Sequence, residues 1–198
     1  MVKNEKHIDG YILAGGKSSR MGSDKGLLNF QGKPLVQWVI EQLSPAVKNV
    51  ILVSNNIEYQ QFGLTVIPDL IKDRGPAGGI YASLSHANTE QIFVVACDMP
   101  FITTDIIRYI IEHAVKSQIT LVEQNGQLQP LCGIYDKECV TLWQQLVWQE
   151  KLKLQEIVTN FTLLKLKLPH QLFNDSLFFN INNKQDFQQA FNKIDHGD

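Results

Sequence analysis

The sequence predicts an α/β fold: three layers, α/β/α, around a mostly parallel sheet with an antiparallel hairpin excursion. Three observations predict it. The strand-like runs at 8–14 (apolar from Tyr11 to Ala14), 50–54 and 91–97 are near-continuously apolar, and 91–97 is rich in β-branched residues, as expected of strands buried on both faces. Between them lie stretches whose apolar residues recur at helical spacing. No Pro/Gly/Ser-rich linker, internal repeat or low-complexity tract interrupts the alternation, so residues 1–198 read as one domain.

The elements follow in order. Residues 8–14 form the first strand. Pro34 suits a helix start, and Leu35, Trp38, Val39, Gln42 and Leu43 share a face behind it. Residues 50–54 and 64–67 are strands, and Pro76 opens a helix reaching His86. The segment 91–97 is the most strand-like of all. Residues 104–116 form a helix with Ile106, Ile107, Ile110, Ile111 and Val115 on one stripe. Two short strands within 119–136 flank Asn125-Gly126, a strong hairpin signal, and a helix follows near 137–148. Residues 161–168 and the Asn-rich 178–182 are further strands, and a helix from Lys184 closes the chain.

Composition excludes several classes of function. With 44% apolar and 19% charged residues the chain is globular rather than disordered. A formal net charge of −2 without a basic cluster argues against nucleic-acid or membrane-surface binding. The N-terminus lacks the apolar core of a signal peptide, and no run is long enough to span a bilayer. Cys97, Cys132 and Cys139 have no CxxC spacing and fit a reducing, cytoplasmic setting. The five histidines are scattered without zinc-ligand spacing.

Ligands of open α/β sheets bind at the carboxyl ends of strands, so the chemistry is sought in the loops there. The first loop carries Gly15, Gly16, Lys17, Ser18, Ser19, Arg20, Gly22 and Lys25. Glycines let a phosphate approach the backbone, and the cations meet its oxygens. Gly16-Lys17-Ser18 mimics the end of a P-loop, but that pattern needs glycine at position 11, where Tyr11 stands. The second loop runs from Asp69 to Gly79. Gly78 and Gly79 are poor helix formers, which favours close backbone approach to a ligand, and Arg74 lies in the same loop. The third carries Asp98, a carboxylate suited to Mg²⁺. Thr103 or Thr104 is the better helix cap, which leaves Asp98 free, and Cys97 reads as core filler. Last come Asn180 and Asn182, which alternation places on one face, suited either to a substrate or to a polar strand edge.

These residues resemble a known family. The stretch LAGGKSSRMGSDK (Leu13–Lys25), Asp69, the Gly75–Gly79 loop, Asp98–Pro100 and Asn180/Asn182 are similar, in order and over nearly the whole chain, to the bacterial molybdenum cofactor guanylyltransferases. The resemblance implies a Rossmann-like, nucleotide-diphospho-sugar-transferase-like fold. It implies transfer of GMP from GTP to molybdenum-molybdopterin, with Mg²⁺ as cofactor. It further implies that Leu13, Ala14 and Gly15 contact guanine or ribose, that Gly16, Arg20 and Lys25 serve the phosphates, that Asp69 and Gly79 contact the nucleotide, and that Asp98 holds Mg²⁺. A contact after the second strand falls on Ser54, Asn55 or Asn56. Residues 8–100 would bind GTP, and 101–195, through Asn180 and Asn182, the pterin. Molybdenum-insertion proteins and apo-molybdoenzymes would be partners.

Two positions depart from the family pattern: Ala77-Gly78 stands where a Leu-Ala-like pair is common, and Asn183 where Thr is usual. The alternatives are a pterin cytidylyltransferase, a sugar-1-phosphate nucleotidyltransferase and a non-catalytic nucleotide-binding module. Gly15-Gly16 favours guanine over the first, and Asp24, where the sugar enzymes tend to have Pro, disfavours the second.

Overall fold

A computed structural model describes residues 8–15, 24–115, 117–169, 172 and 176–195. In chain order the strands are β1 (Asp9–Leu13), β2 (Asn29–Phe30), β3 (Lys33–Pro34), β4 (Val50–Val53), β5 (Thr65–Ile67), β6 (Gln91–Ala96), β7 (Ile119–Gln124), β8 (Gln127–Asp136) and β9 (Leu163–Leu166). The α-helices are α1 (Leu35–Leu43), α2 (Gly75–His86), α3 (Thr104–His113), α4 (Val140–Trp148), α5 (Leu154–Ile157) and α6 (Lys184–Asp195).

Among the described residues seven strands make one sheet, ordered β5-β4-β1-β6-β8-β7-β9, and β2 and β3 form a separate hairpin. The pairs β1–β4, β1–β6, β4–β5 and β7–β9 are parallel, whereas β8 runs antiparallel to both β6 and β7. The expected hairpin is thus the antiparallel departure from an otherwise parallel sheet, and its second strand lies inside the sheet, between β6 and β7, where ladder bonds on both sides satisfy its backbone. The turn is the expected one, with Asn125 and Gly126 both at positive φ.

Side-chain alternation along the strands divides the interior in two. Ile12 and Ala14 enter one core with Leu52, Phe93 and Val95, covered by Val36, Val39 and Leu43 of α1 and Ile106, Ile107 and Ile110 of α3. Tyr11 and Leu13 face the other, covered by α2 and by Trp143, Leu146 and Val147 of α4. This gives the three-layer α/β/α fold. Trp143 ties the second face together: it is fully buried, donates to the Ala77 carbonyl at 2.9 Å, and stacks on Phe161. A third cluster of Phe30, Leu35, Ile181 and Ala190, flanked by Trp38, Phe101 and Phe187, docks α6 onto the β2–β3 hairpin and the start of α1.

Two further expectations change. The helix at 104 stops at His113, so Val115 is 64% exposed instead of continuing the apolar stripe. The segment 178–182 is not a strand. Its backbone finds partners outside any ladder: the Phe179 N–H bonds the Ser176 carbonyl, and the Ile181 N–H bonds the Asp98 carbonyl at 3.1 Å. Among the described residues no helix is long and apolar enough to cross a membrane.

Candidate active site

The strand order reverses direction of growth at β1: β4 and β5 lie on one side, β6 on the other. The crevice outside the carboxyl ends of β1 and β6 is where such sheets bind ligands. Lys25 follows β1 and Asp98 follows β6. They meet there, with Lys25 Nζ 2.5 Å from Asp98 Oδ2 across 73 residues of sequence. Lys25 Nζ also donates to Asn182 Oδ1 at 2.8 Å. One ammonium thus joins the loop after β1, the loop after β6 and the segment before α6. Asp98 is 9% exposed, and Thr103 rather than Asp98 caps α3.

Two oxygens at this junction are buried without a hydrogen-bond partner: Asp98 Oδ1 and Asn180 Oδ1. An orphaned carboxylate oxygen is costly unless a cation or donor approaches it. Hard oxygen donors of this kind suit Mg²⁺, which takes one or two carboxylates and completes its shell from phosphates and water. No cluster of three or more His, Cys, Asp or Glu able to hold a metal occurs among the described residues, so the fit rests on the Asp98 carboxylate. The residues present therefore fit the group the sequence resemblance implies.

The turn after β4, Ser54-Asn55-Asn56, organises two carboxylates. Asn55 and Asp69 bond reciprocally: Asn55 Nδ2 donates to Asp69 Oδ2 at 2.9 Å, and the Asp69 N–H donates to Asn55 Oδ1 at 3.1 Å. Partial burial raises the Asp69 pKa above the ordinary carboxylate value, and the Asn55 bond opposes the rise. Asn56 turns the other way and donates to Asp24 Oδ2 at 3.1 Å, while its own N–H bonds Ser54 Oγ. Asp24 Oδ1 accepts from the Tyr59 hydroxyl at 2.5 Å and from the Gly26 N–H.

Of the residues singled out in the sequence, Lys25, Asp98 and Asn182 are brought into direct contact, and Asn180 borders them. Leu13 and Ala14 are buried, their backbone still in the sheet through Ala14 N–H to Val53 O and Cys97 N–H to Leu13 O, and Gly15 is the first exposed residue. Gly79 is buried; a Cβ there would sit 3.2 Å from Leu13 Cδ2, so the glycine brings α2 against the end of β1. Gly78 likewise faces the Arg74 side chain. Close packing accounts for both glycines, whatever a ligand adds. Arg74 pairs with Glu150 at 3.0 Å. Gly16 and Arg20 lie outside the described residues. Cys97 is buried, and its thiol pKa is pushed up by burial and next by Asp98, as expected of core filler rather than a nucleophile. Sequence reasoning did not foresee that Asp24, Asn56 and Tyr59 bond one another: Asn56 stood only among candidate nucleotide contacts, Asp24 only as a departure from the sugar-enzyme pattern, and Tyr59 was not singled out.

Comparison with known proteins gives the following. Residues 10–163 match the family of the MobA-like NTP transferase domain. A probable molybdenum cofactor guanylyltransferase of Flavobacterium johnsoniae is 36% identical over 165 residues, 83% of each chain. A molybdenum cofactor guanylyltransferase of Vibrio parahaemolyticus is 41% identical over 131 residues, 64% of this chain and 67% of the relative. The crystal structure of a molybdopterin-guanine dinucleotide biosynthesis protein A from Archaeoglobus fulgidus superposes with a TM-score of 0.80. It is 22% identical, and the match covers 96% of this chain and all of that one, so it speaks to the fold.

Proposed function

This chain belongs to the MobA-like NTP transferases, among the molybdenum cofactor guanylyltransferases, and we propose that it transfers GMP from GTP to molybdenum-molybdopterin. The products are the guanine dinucleotide form of the cofactor and pyrophosphate. Beyond family membership, one observation carries the reading: Lys25, Asp98 and Asn182 converge at the sheet's ligand-binding edge.

In the reaction a terminal phosphate oxygen of the acceptor attacks the α-phosphorus of GTP. The new O–P bond forms as the bond to the β-phosphate oxygen breaks, and pyrophosphate leaves with the electron pair. The acceptor phosphate is already anionic near neutrality, so the protein's task is positioning and charge stabilisation. Lys25 supplies a fixed positive charge to the triphosphate, assisted by Arg20. Asp69, steadied by Asn55, offers acceptor oxygens to N–H groups of the nucleoside, and the backbone of Leu13, Ala14 and Gly15, with Gly79 behind it, lines the base and ribose side. Asp98 would hold Mg²⁺, which supplies further charge neutralisation on the phosphates when bound.

Residues 8–100 form the nucleotide side in this reading and 101–195 the acceptor side, with Asn180 and Asn182 facing the pterin substrate. The Lys25–Asn182 bond supports a direct junction between the two. Three buried free thiols support a cytoplasmic setting, in which apo-molybdoenzymes and molybdenum-insertion proteins would be the natural partners.

The test is pyrophosphate release with molybdenum-molybdopterin, magnesium and each NTP in turn. GTP alone should support turnover. A preference for CTP would overturn the guanine assignment, and no release with any nucleotide would overturn the transferase assignment for the chain.

A further inference from the structure

Lys25 opens a three-residue 3-10 turn, Lys25–Leu27, whose far end packs against α1 through Leu27. At the near end, where Lys25 sits, the turn is held by Asp24. Its side chain caps the turn by accepting from the Gly26 N–H, and its two oxygens are also gripped from outside, Oδ1 by Tyr59 and Oδ2 by Asn56. Tyr59 is fully buried, so the grip comes from the core rather than from a mobile surface side chain. Burial pushes the Tyr59 phenol well above its ordinary pKa, which keeps the hydroxyl a donor. Gly26 completes the fit: any Cβ there would overlap the Tyr59 hydroxyl and approach Cys97 Sγ to 3.1 Å.

We propose that Asp24 is a positioning residue for Lys25, and that Tyr59 and Asn56 are the bracket that holds Asp24 in place. This rests on the guanylyltransferase reading, in which Lys25 serves the triphosphate. The bracket fixes the backbone on both sides of Lys25, so the long lysine side chain starts from a defined point and reaches the crevice rather than solvent. A flexible ammonium delivered from an unfixed loop would stabilise developing charge far less, because orientation has to be established before the reaction. Asn56 belongs to the same turn as Asn55, which clamps Asp69. The loop after β4 thereby sets the nucleoside carboxylate and the phosphate cation relative to each other.

A double-mutant cycle tests this. Tyr59→Phe removes one hydroxyl and leaves the buried ring. It should lower kcat/KM for GTP about tenfold, the worth of one bond to a charged group, with KM for the acceptor unchanged. In a Lys25→Ala background the same substitution should cost almost nothing further, because its effect passes through Lys25. A merely structural role would give equal losses in both backgrounds, and that result overturns the proposal, as does an unchanged Tyr59→Phe. Should Tyr59→Phe fail to fold by circular dichroism, Asn56→Ala, on the more exposed side of the bracket, is put through the same cycle. An inactive wild-type chain would instead refute the underlying transferase reading, so the two failures are distinguishable.

Discussion

The ammonium of Lys25 lies 2.5 Å from Oδ2 of Asp98, on a strand-end loop 73 residues away. Neither charge would sit comfortably there alone. Asp98 is largely buried and keeps a second oxygen without a partner, so it needs a cation nearby, and among the described residues Lys25 is in contact with it. The ion pair marks where positive charge is wanted.

Removing either partner should leave a folded but nearly inactive protein. Lys25→Ala and Asp98→Ala should each lower turnover by about 10²–10³, the usual cost of deleting one charge-stabilising group, with circular dichroism spectra like the wild type. Turnover within a few-fold of wild type in either variant would contradict its assigned role.

The Asn55–Asp69 clamp predicts a pH effect. The folded pKa of Asp69 is raised, so in the window above the ordinary carboxylate value the native state retains a proton that the unfolded chain has lost. Stability contributed by this group therefore falls as pH rises through that window. Asn55→Ala removes the bond that opposes the rise, so the window extends to higher pH. If ionised Asp69 accepts from the nucleoside, the acid-side loss of GTP binding should move to higher pH in Asn55→Ala. Calorimetric titrations between roughly pH 4 and 7, spanning the ordinary carboxylate range and its perturbed tail, would show this. An unmoved acid limb would count against the clamp.

Trp143 should be the costliest single truncation on the α2–α4 face. It is fully buried, bonds the Ala77 carbonyl and packs edge-on to Tyr135 and face-on to Phe161. Trp143→Ala should lower unfolding free energy by about 3–5 kcal/mol in urea denaturation. A loss under about 1 kcal/mol would mean that face is far looser than its packing indicates.

The thiols should be silent in the native state. Cys97, Cys132 and Cys139 are all buried, and burial raises each pKa, that of Cys139 to about 12. A thiol reagent such as Ellman's should titrate none of them in native buffer and all of them in guanidinium. Fast native labelling of Cys97 would contradict its place in the core.

The sheet and its helices were legible in the sequence because periodicity reports burial directly. The runs ending in Leu13, Val53 and Ala96 are apolar on both faces, and such strands have few alternatives. Lys25 and Asp98 were singled out because strand ends in this architecture gather ligands, and the structure brings the two into contact. Pairing partners were not legible. Nothing local in Gln127–Asp136 says that it inserts beside β6 rather than hanging outside the sheet. The 179–182 segment alternates like a strand, yet its backbone is claimed by Asp98 and its aromatic neighbours by α6. Tyr59 is an ordinary core aromatic by spacing, and its bond to Asp24 spans 35 residues, beyond the reach of any short pattern.

In the proposed reaction the crevice between the ends of β1 and β6 grips the triphosphate of GTP. In a crystal structure with GTP and magnesium the phosphates should lie beside Lys25 and Asp98, with the guanine toward Asp69. Nucleotide density at any other surface, with this crevice empty, would contradict it.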